Sequence, residues 1–125
     1  MTWLALLLTS AIAGMLYYKI KVRPRRVRIS FYVGVIQLGL GSLSALATTI
    51  APISPISCVI GGVGVYINPI ITLIDVVMLL SVIPTKLRAN DRLQILIYVA
   101  FIVARIALHI MAGAVHYWAF SYCTI

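Results

Sequence analysis

The sequence predicts an all-α fold, a polytopic helical membrane protein with four transmembrane helices in an up-down bundle. Of its 125 residues, 63% are hydrophobic and only 10% are charged, against about 25% charged residues in a typical soluble domain. The apolar residues fall into four stretches separated by short polar segments, and a membrane-spanning helix needs about 20 such residues. A single transmembrane domain over residues 1–125 therefore uses the whole chain, and we expect no separate catalytic domain.

The first two predicted spans are residues 2–18 and 29–50. Basic residues follow the first span rather than precede it, so we expect a retained helix and not a signal peptide. Pro24 discourages a continuous helix through the basic segment 19–28. Prolines within residues 51–55 are expected to end the second span.

The third predicted span, residues 59–83, allows two forms. Its start is rich in glycine, and Asn68 followed by Pro69 is typical of a helix N-terminus. A helix that began there and ended at residue 83 would be about 22 Å long, short of the roughly 30 Å hydrocarbon core. We therefore expect one long helix with a kink near Pro69, and the alternative is a re-entrant segment over residues 52–67.

The fourth predicted span, residues 93–120, gives an even number of crossings. The basic segments 19–28 and 84–92 then lie on the same side of the membrane. Because basic loops mark the cytoplasmic face, we expect both termini on the non-cytoplasmic side.

The net charge is +8, and anionic lipid headgroups are the expected partner of the basic residues in the first segment: Lys19, Lys21, Arg23, Arg25, Arg26 and Arg28. Nucleic acid is the less favoured partner, because no aromatic side chain interrupts the run.

Small and polar residues recur along the second span at alternating intervals of four and three. This spacing places them on one face of a helix. Small side chains let another helix approach closely, and hydroxyl or amide groups hydrogen-bond across the contact. The pattern favours a packing seam, and the alternative is the wall of a water-filled pore. This small-residue seam consists of Ser30, Gly34, Gln37, Gly41, Ser44 and Thr48.

The fourth span carries an intramembrane base, Arg105, and the third span carries an acid, Asp75. A charge at this depth costs about 2.5–3.5 kcal/mol on insertion scales, so each residue needs a partner. Asp75 lies about 12 Å and Arg105 about 18 Å from the basic side of the membrane, and in antiparallel helices their side chains lean toward each other. We predict an ion pair that clamps the two helices. Asn68 and Thr72 are predicted to share the face of Asp75.

His109 and His116 continue the face of Arg105 toward the far side of the membrane. Because histidine titrates near neutral pH, a proton or ion path along this face is the alternative to a structural clamp. The two rings are separated by about 10.5 Å along the helix, too far to share a metal ion. We predict no metal site, no cofactor and no catalytic residue, since enzyme motifs are also missing. Cys58 and Cys123 lack metal or redox spacing and are expected to be buried thiols.

These features predict a small non-enzymatic integral membrane protein that acts by oligomeric assembly. The plan of several spans, one polar face and short basic loops is similar to that of phage holins, which assemble into membrane lesions. Residues 120–125 depart from it, because they are uncharged where holins usually carry a charged tail. A pore or channel is the first hypothesis. The alternative is an accessory or structural subunit of a larger membrane complex or membrane-containing particle, and a proton-coupled small transporter is the third candidate.

Overall fold

Four helices make up the computed structural model, which describes residues 2–20, 25–50, 55–86 and 92–121, without the side chains of residues 2 and 82–86. Within these ranges there is no strand, so the all-α class is confirmed. The helices are α1 (Thr2–Lys19), α2 (Arg25–Ile50), α3 (Pro55–Lys86) and α4 (Arg92–Ser121). Helices α2, α3 and α4 are long and apolar enough to cross a membrane, whereas α1 is a shorter apolar helix.

Side-chain contacts between the helices show an up-down arrangement. Tyr17 near the end of α1 stacks on Phe31 near the start of α2, with ring centroids 4.1 Å apart. Tyr98 near the start of α4 donates a hydrogen bond to the carbonyl of Leu79 near the end of α3, at 2.9 Å. Consecutive helices are therefore antiparallel. One end of the bundle holds the basic segments, and we call it the basic end.

Helix α4 packs against each of the other three helices, as α2 also does. Residues of α4 belong to both apolar clusters of the bundle. The cluster nearer the basic end includes Tyr17, Val27, Leu79, Tyr98 and Phe101, and the other comprises Leu6, Ala45, Leu108, Ala112 and Val115. Arg105 lies on α4 between the two clusters, so its charged group is enclosed by apolar packing on both sides.

The boundaries of the basic segments differ from those predicted. Helix α1 includes Lys19, and α2 begins at Arg25, so Arg25, Arg26 and Arg28 are helical and not part of a loop. Arginine has a high helix propensity, and a helix is free to start directly after a proline. Lys21 and Arg23 lie outside the described residues.

Helix α3 is continuous from Pro55 to Lys86, which agrees with the favoured single long helix and not with the alternative, a separate re-entrant segment before Pro69, over residues 55–67. The part of that prediction at 52–54 lies outside the described residues. Glycine only weakens a helix, by about 1 kcal/mol relative to alanine, and α3 gains packing against α4 in return. The helix also extends past the predicted end at residue 83, so the start of the second basic segment is helical.

Cys58, in the first turn of α3, is disulfide-bonded, which corrects the expectation of a free thiol there. Cys123 lies outside the described residues. We expect protein purified without reductant and then denatured to leave Cys58 unmodified by a thiol-alkylating reagent, and reductant to make it reactive. Modification of Cys58 before reduction, read by peptide mass spectrometry, would contradict the disulfide.

Candidate functional site: a buried polar network

The Asp75 carboxylate is the centre of a polar network between α3 and α4. Arg105 Nη2 lies 3.0 Å and His109 Nε2 lies 2.8 Å from the same Asp75 oxygen, Oδ2. Asp75 is 2% exposed and Arg105 is 1% exposed. Arg105 and His109 lie one turn apart on α4, which is why both reach a single carboxylate on α3. The geometry is that of a fully buried ion pair with a second donor.

An amide relay on α2 and α3 holds the other side of the His109 ring. Asn68 Nδ2 donates to the backbone carbonyl of His109 at 3.0 Å, which fixes Asn68 Oδ1 as an acceptor. Gln37 Nε2 donates to that oxygen at 3.1 Å, and the same amide nitrogen lies 2.6 Å from His109 Nδ1. Each of the two Gln37 amide protons therefore has an acceptor.

This relay determines the tautomer of His109. Because Gln37 Nε2 is a donor, His109 Nδ1 has to accept, and the ring proton lies on Nε2, where it is donated to Asp75. Arg105 Nη2 also lies 3.4 Å from His109 Nε2, but both groups are donors and form no hydrogen bond. His109 is thus neutral in this arrangement, and the network contains one positive charge, on Arg105, and one negative charge, on Asp75.

The small-residue seam forms the α2 side of the same interior. Arg105 Nε donates to Ser30 Oγ at 3.1 Å. Gly34 lies under the guanidinium group, and a Cβ atom at that position would be 2.8 Å from Arg105 Nη1. The absence of a side chain at residue 34 therefore leaves the volume that Arg105 occupies. Three buried polar atoms of the network have no hydrogen-bond partner: Gln37 Oε1, Asp75 Oδ1 and Arg105 Nη1.

His116 belongs to a second, smaller polar cluster, farther from the basic end. Its Nδ1 atom lies 2.7 Å from Ser44 Oγ, and its ring packs directly on Gly64 of α3, where a Cβ atom would overlap the ring. Among the described residues no hydrogen bond joins His109 to His116. The polar residues on this face of α4 therefore form two clusters, one around Asp75 and one around His116.

The remaining predicted site residues bond to their own helix or pack against apolar groups. Thr48 Oγ1 donates to the carbonyl of Ser44 at 2.7 Å, and Thr72 Oγ1 donates to the carbonyl of Asn68 at 2.7 Å. Gly41 faces Leu6 of α1, whose side chain fills the space that a Cβ atom would need. These three residues contribute to close packing and not to the network around Asp75.

The basic end carries the described members of the predicted headgroup patch. Lys19, Arg25, Arg26 and Arg28 are all exposed. Arg26 donates a hydrogen bond to Ser81 of α3, which links α2 to α3 at this end. The other three form an exposed positive surface at this end of the bundle.

Sequence patterns did not reveal the link between Gln37 and His109. The two residues lie on different predicted faces, and their contact depends on α2 and α4 running parallel, with Ser30, Gln37 and Ser44 opposite Arg105, His109 and His116. The signal that was available is the matching order of polar residues along both helices. The three residues are seven and seven positions apart on α2 and four and seven positions apart on α4, and they pair in the same order along two parallel helices.

Replacing Asn68 with leucine is expected to destabilise the bundle by about 1–3 kcal/mol, since it removes the acceptor of one Gln37 amide proton and the side-chain donor to the His109 carbonyl. The Gln37 amide then becomes free to turn over. We expect the ¹⁵N signals of the His109 ring to show a single neutral Nε2–H tautomer in the parent protein and a mixture in Asn68→Leu.

The matched control is Thr72→Val, one turn along the same helix, because the Thr72 hydroxyl contacts only its own backbone. It should change the free energy of unfolding by about 0.5 kcal/mol or less. Equal losses in the two variants would contradict a relay through Asn68.

Within the described residues, no three His, Cys, Asp or Glu side chains come together as a potential metal site. In comparisons with known proteins, no family model, curated protein or solved structure matches this chain.

Proposed function

We propose that this chain is an integral membrane protein that crosses the bilayer four times, and that the shorter helix α1 spans the bilayer in addition to α2, α3 and α4. Helix α1 has 18 residues and is about 27 Å long at about 1.5 Å per residue, close to the hydrocarbon thickness of about 30 Å. The exposed side chains of α1 are almost all apolar, including Leu4, Leu8, Ile12 and Met15. We also propose a bend in α3 near Pro69, where the proline removes one backbone hydrogen bond.

The basic end is proposed to face the cytoplasm and to contact anionic lipids. Exposed Lys19, Arg25 and Arg28 at this end support that orientation through the positive-inside rule. The disulfide at Cys58 is a second support, because residue 58 lies at the opposite end of the bundle and disulfides persist in oxidising compartments. Both termini then lie on the non-cytoplasmic side.

In this membrane, we propose that the protein acts by assembly as a non-enzymatic accessory or structural subunit of a larger complex or membrane-containing particle. The observation that carries the proposal is the direction of the polar side chains. All residues of the small-residue seam are buried within the single chain, and so are Arg105, His109 and His116 on α4. The outer surface is left to large apolar side chains, which suit lipid or other membrane subunits.

A pore built from several copies needs polar side chains on the outward faces of the helices, where the lumen forms. Helix α3 instead presents Ile70, Leu73, Ile74 and Val77 outward, each more than half exposed. This geometry favours the subunit over the pore or channel. Among the described residues no hydrogen bond connects the two histidine clusters, so a proton-coupled transporter remains the third candidate.

The test is reconstitution of the purified chain into phosphatidylethanolamine–phosphatidylglycerol vesicles loaded with a self-quenching dye. We expect no dye release above that of protein-free vesicles, even at high protein-to-lipid ratios, and a monomeric mass in detergent. A membrane-lysing peptide serves as the positive control. Release that rises with protein content, together with a homogeneous homo-oligomer, would overturn the subunit proposal in favour of the pore.

In the native membrane, a photo-crosslinker at Leu73 of α3 should form an adduct with a different protein chain. The control position is Ala112, which is fully buried in α4 and should crosslink only within the chain. Adducts of Leu73 with lipid alone would contradict the subunit role.

A further inference from the structure

A cavity of about 210 Å³ opens between α1 and α2 and reaches inward to α4. Its walls are mostly apolar and include Phe31, Phe101 and Leu108, and glycines 14 and 34 widen it. A Cβ atom at Gly14 would meet nothing within 4 Å. Tyr18 and Val35 at its rim are 66% and 54% exposed, so the cavity opens toward the surroundings of the bundle, which in a membrane are acyl chains.

Two polar atoms without partners lie among the residues that line this cavity. Arg105 Nη1 and Ser10 Oγ are buried and make no hydrogen bond, although both residues line the cavity. An unpaired buried donor costs about 1–3 kcal/mol, and more when it is charged. A guanidinium nitrogen can only donate, so a ligand that relieves this penalty has to present an acceptor atom to Arg105.

The charge balance selects an uncharged acceptor. Arg105 is already neutralised by Asp75, at 3.0 Å, and the amide relay keeps His109 neutral. A carboxylate or phosphate bound here would therefore add a buried negative charge with no counter-charge. A carbonyl oxygen accepts hydrogen bonds without this penalty.

The depth of Arg105 in the bundle and the lining of the cavity restrict the class of ligand further. Arg105 lies about 20 Å from one end of α4 and about 24 Å from the other at about 1.5 Å per residue, which is far from the headgroup level. The Tyr17–Phe31 stack and Phe101 line this side of the bundle, and aromatic side chains favour contact with a planar ring. A flat carbonyl-bearing ring with an apolar tail fits these features best.

We propose that this cavity binds the uncharged carbonyl head of an apolar lipid-phase molecule, with Arg105 Nη1 and Ser10 as hydrogen-bond donors. Quinones are the class that the depth and the aromatic lining favour, and acyl esters of membrane lipids carry the same carbonyl group. The site rests on the proposed membrane insertion but not on the proposed subunit role, because it is formed by a single folded chain.

The test is the thermal stability of the purified chain in detergent with added decylubiquinone, since a ligand that binds only the folded state raises Tm. Decylbenzene has an aromatic ring and a similar tail without a carbonyl, and decanoate supplies a carboxylate. A short-chain diacylglycerol provides ester carbonyls. We expect stabilisation by decylubiquinone, and none by decylbenzene or decanoate. Added stabilisation by the diacylglycerol would assign the carbonyl to lipid esters as well.

Gly14→Leu should fill the cavity and weaken decylubiquinone binding by about tenfold or more, comparable to losing a hydrogen bond to a charged donor. Its matched control is Gly39→Leu, because a Cβ atom at Gly39 also meets nothing within 4 Å and Gly39 does not line the cavity. Ser10→Ala should weaken binding less while leaving the fold intact.

The proposal is overturned if decylubiquinone gives no stabilisation, or if decylbenzene stabilises equally, which would mean that the cavity takes hydrocarbon only. It is also overturned if decanoate stabilises most, since the charge argument would then be wrong. Equal binding by the Gly14→Leu and Gly39→Leu variants would place the ligand elsewhere.

Discussion

Asp75→Leu is expected to destabilise the folded bundle by about 3–5 kcal/mol, because it leaves one member of a buried ion pair uncompensated. Arg105 is 1% exposed and has no other anion near it among the described residues. The substitution also removes the acceptor of His109 Nε2–H. The free energy of unfolding in mixed detergent micelles, followed by helix content, measures the loss.

The paired variants separate the charge from the packing. Asp75→Leu combined with Arg105→Met removes both charges and is expected to recover most of the stability, since an apolar replacement of a buried pair is often neutral. The exchange Asp75→Arg with Arg105→Asp should be more stable than either of its single substitutions, which gives a positive coupling. Additive losses in both pairs would show that the two side chains do not interact.

Gly61→Ala is expected to destabilise the contact between α3 and α4 by about 1–3 kcal/mol, the usual effect of overpacking. A Cβ atom there would lie 2.5 Å from the backbone nitrogen of Phe120 and 2.9 Å from the backbone carbon of Ala119. Backbone atoms in a helix cannot move aside as a side chain can, so the two helices have to separate. Thermal unfolding in detergent provides the measurement.

The control substitution is expected to change the stability in the opposite direction. Gly39→Ala adds a methyl group in open space on α2, and it should stabilise the helix by about 0.5–1 kcal/mol because alanine is the better helix former. A loss of stability in Gly39→Ala as large as that in Gly61→Ala would mean that helix propensity, and not the close approach of α4, explains both glycines.

Much of the fold could be predicted from hydropathy and periodicity. The length of the apolar stretches gives four helices, and the interval of three and four residues predicts that Ser30, Gln37 and Ser44 share a face. Helix ends were harder to predict, because basic residues and proline occur both in loops and at the starts of helices. Helix α2 begins at Arg25, within the segment 19–28 that was predicted to be a loop. Glycine was overvalued as a helix breaker at the start of α3.

The polar site was less accessible to sequence reasoning. Opposite charges at similar depth point to a pairing of Asp75 with Arg105, since each would be costly alone. The amide relay through Gln37 and Asn68 depends on how three helices are rotated relative to one another. The residue spacing within one helix does not predict that rotation. The cavity beside Arg105 could not be predicted from the sequence either, since residues of α1, α2 and α4 line it together.

Asp75 and Arg105 lie on consecutive helices, α3 and α4, and this order affects how the two helices are inserted during synthesis. Synthesis delivers α3 before α4, so Asp75 reaches the insertion machinery without its counter-ion. In the proposed membrane topology, an isolated α3 or α4 would carry an unpaired charge into the hydrocarbon, whereas the two together pair Asp75 with Arg105. We therefore expect α3 and α4 to enter the bilayer as one unit, and the first two helices to dock onto it afterwards.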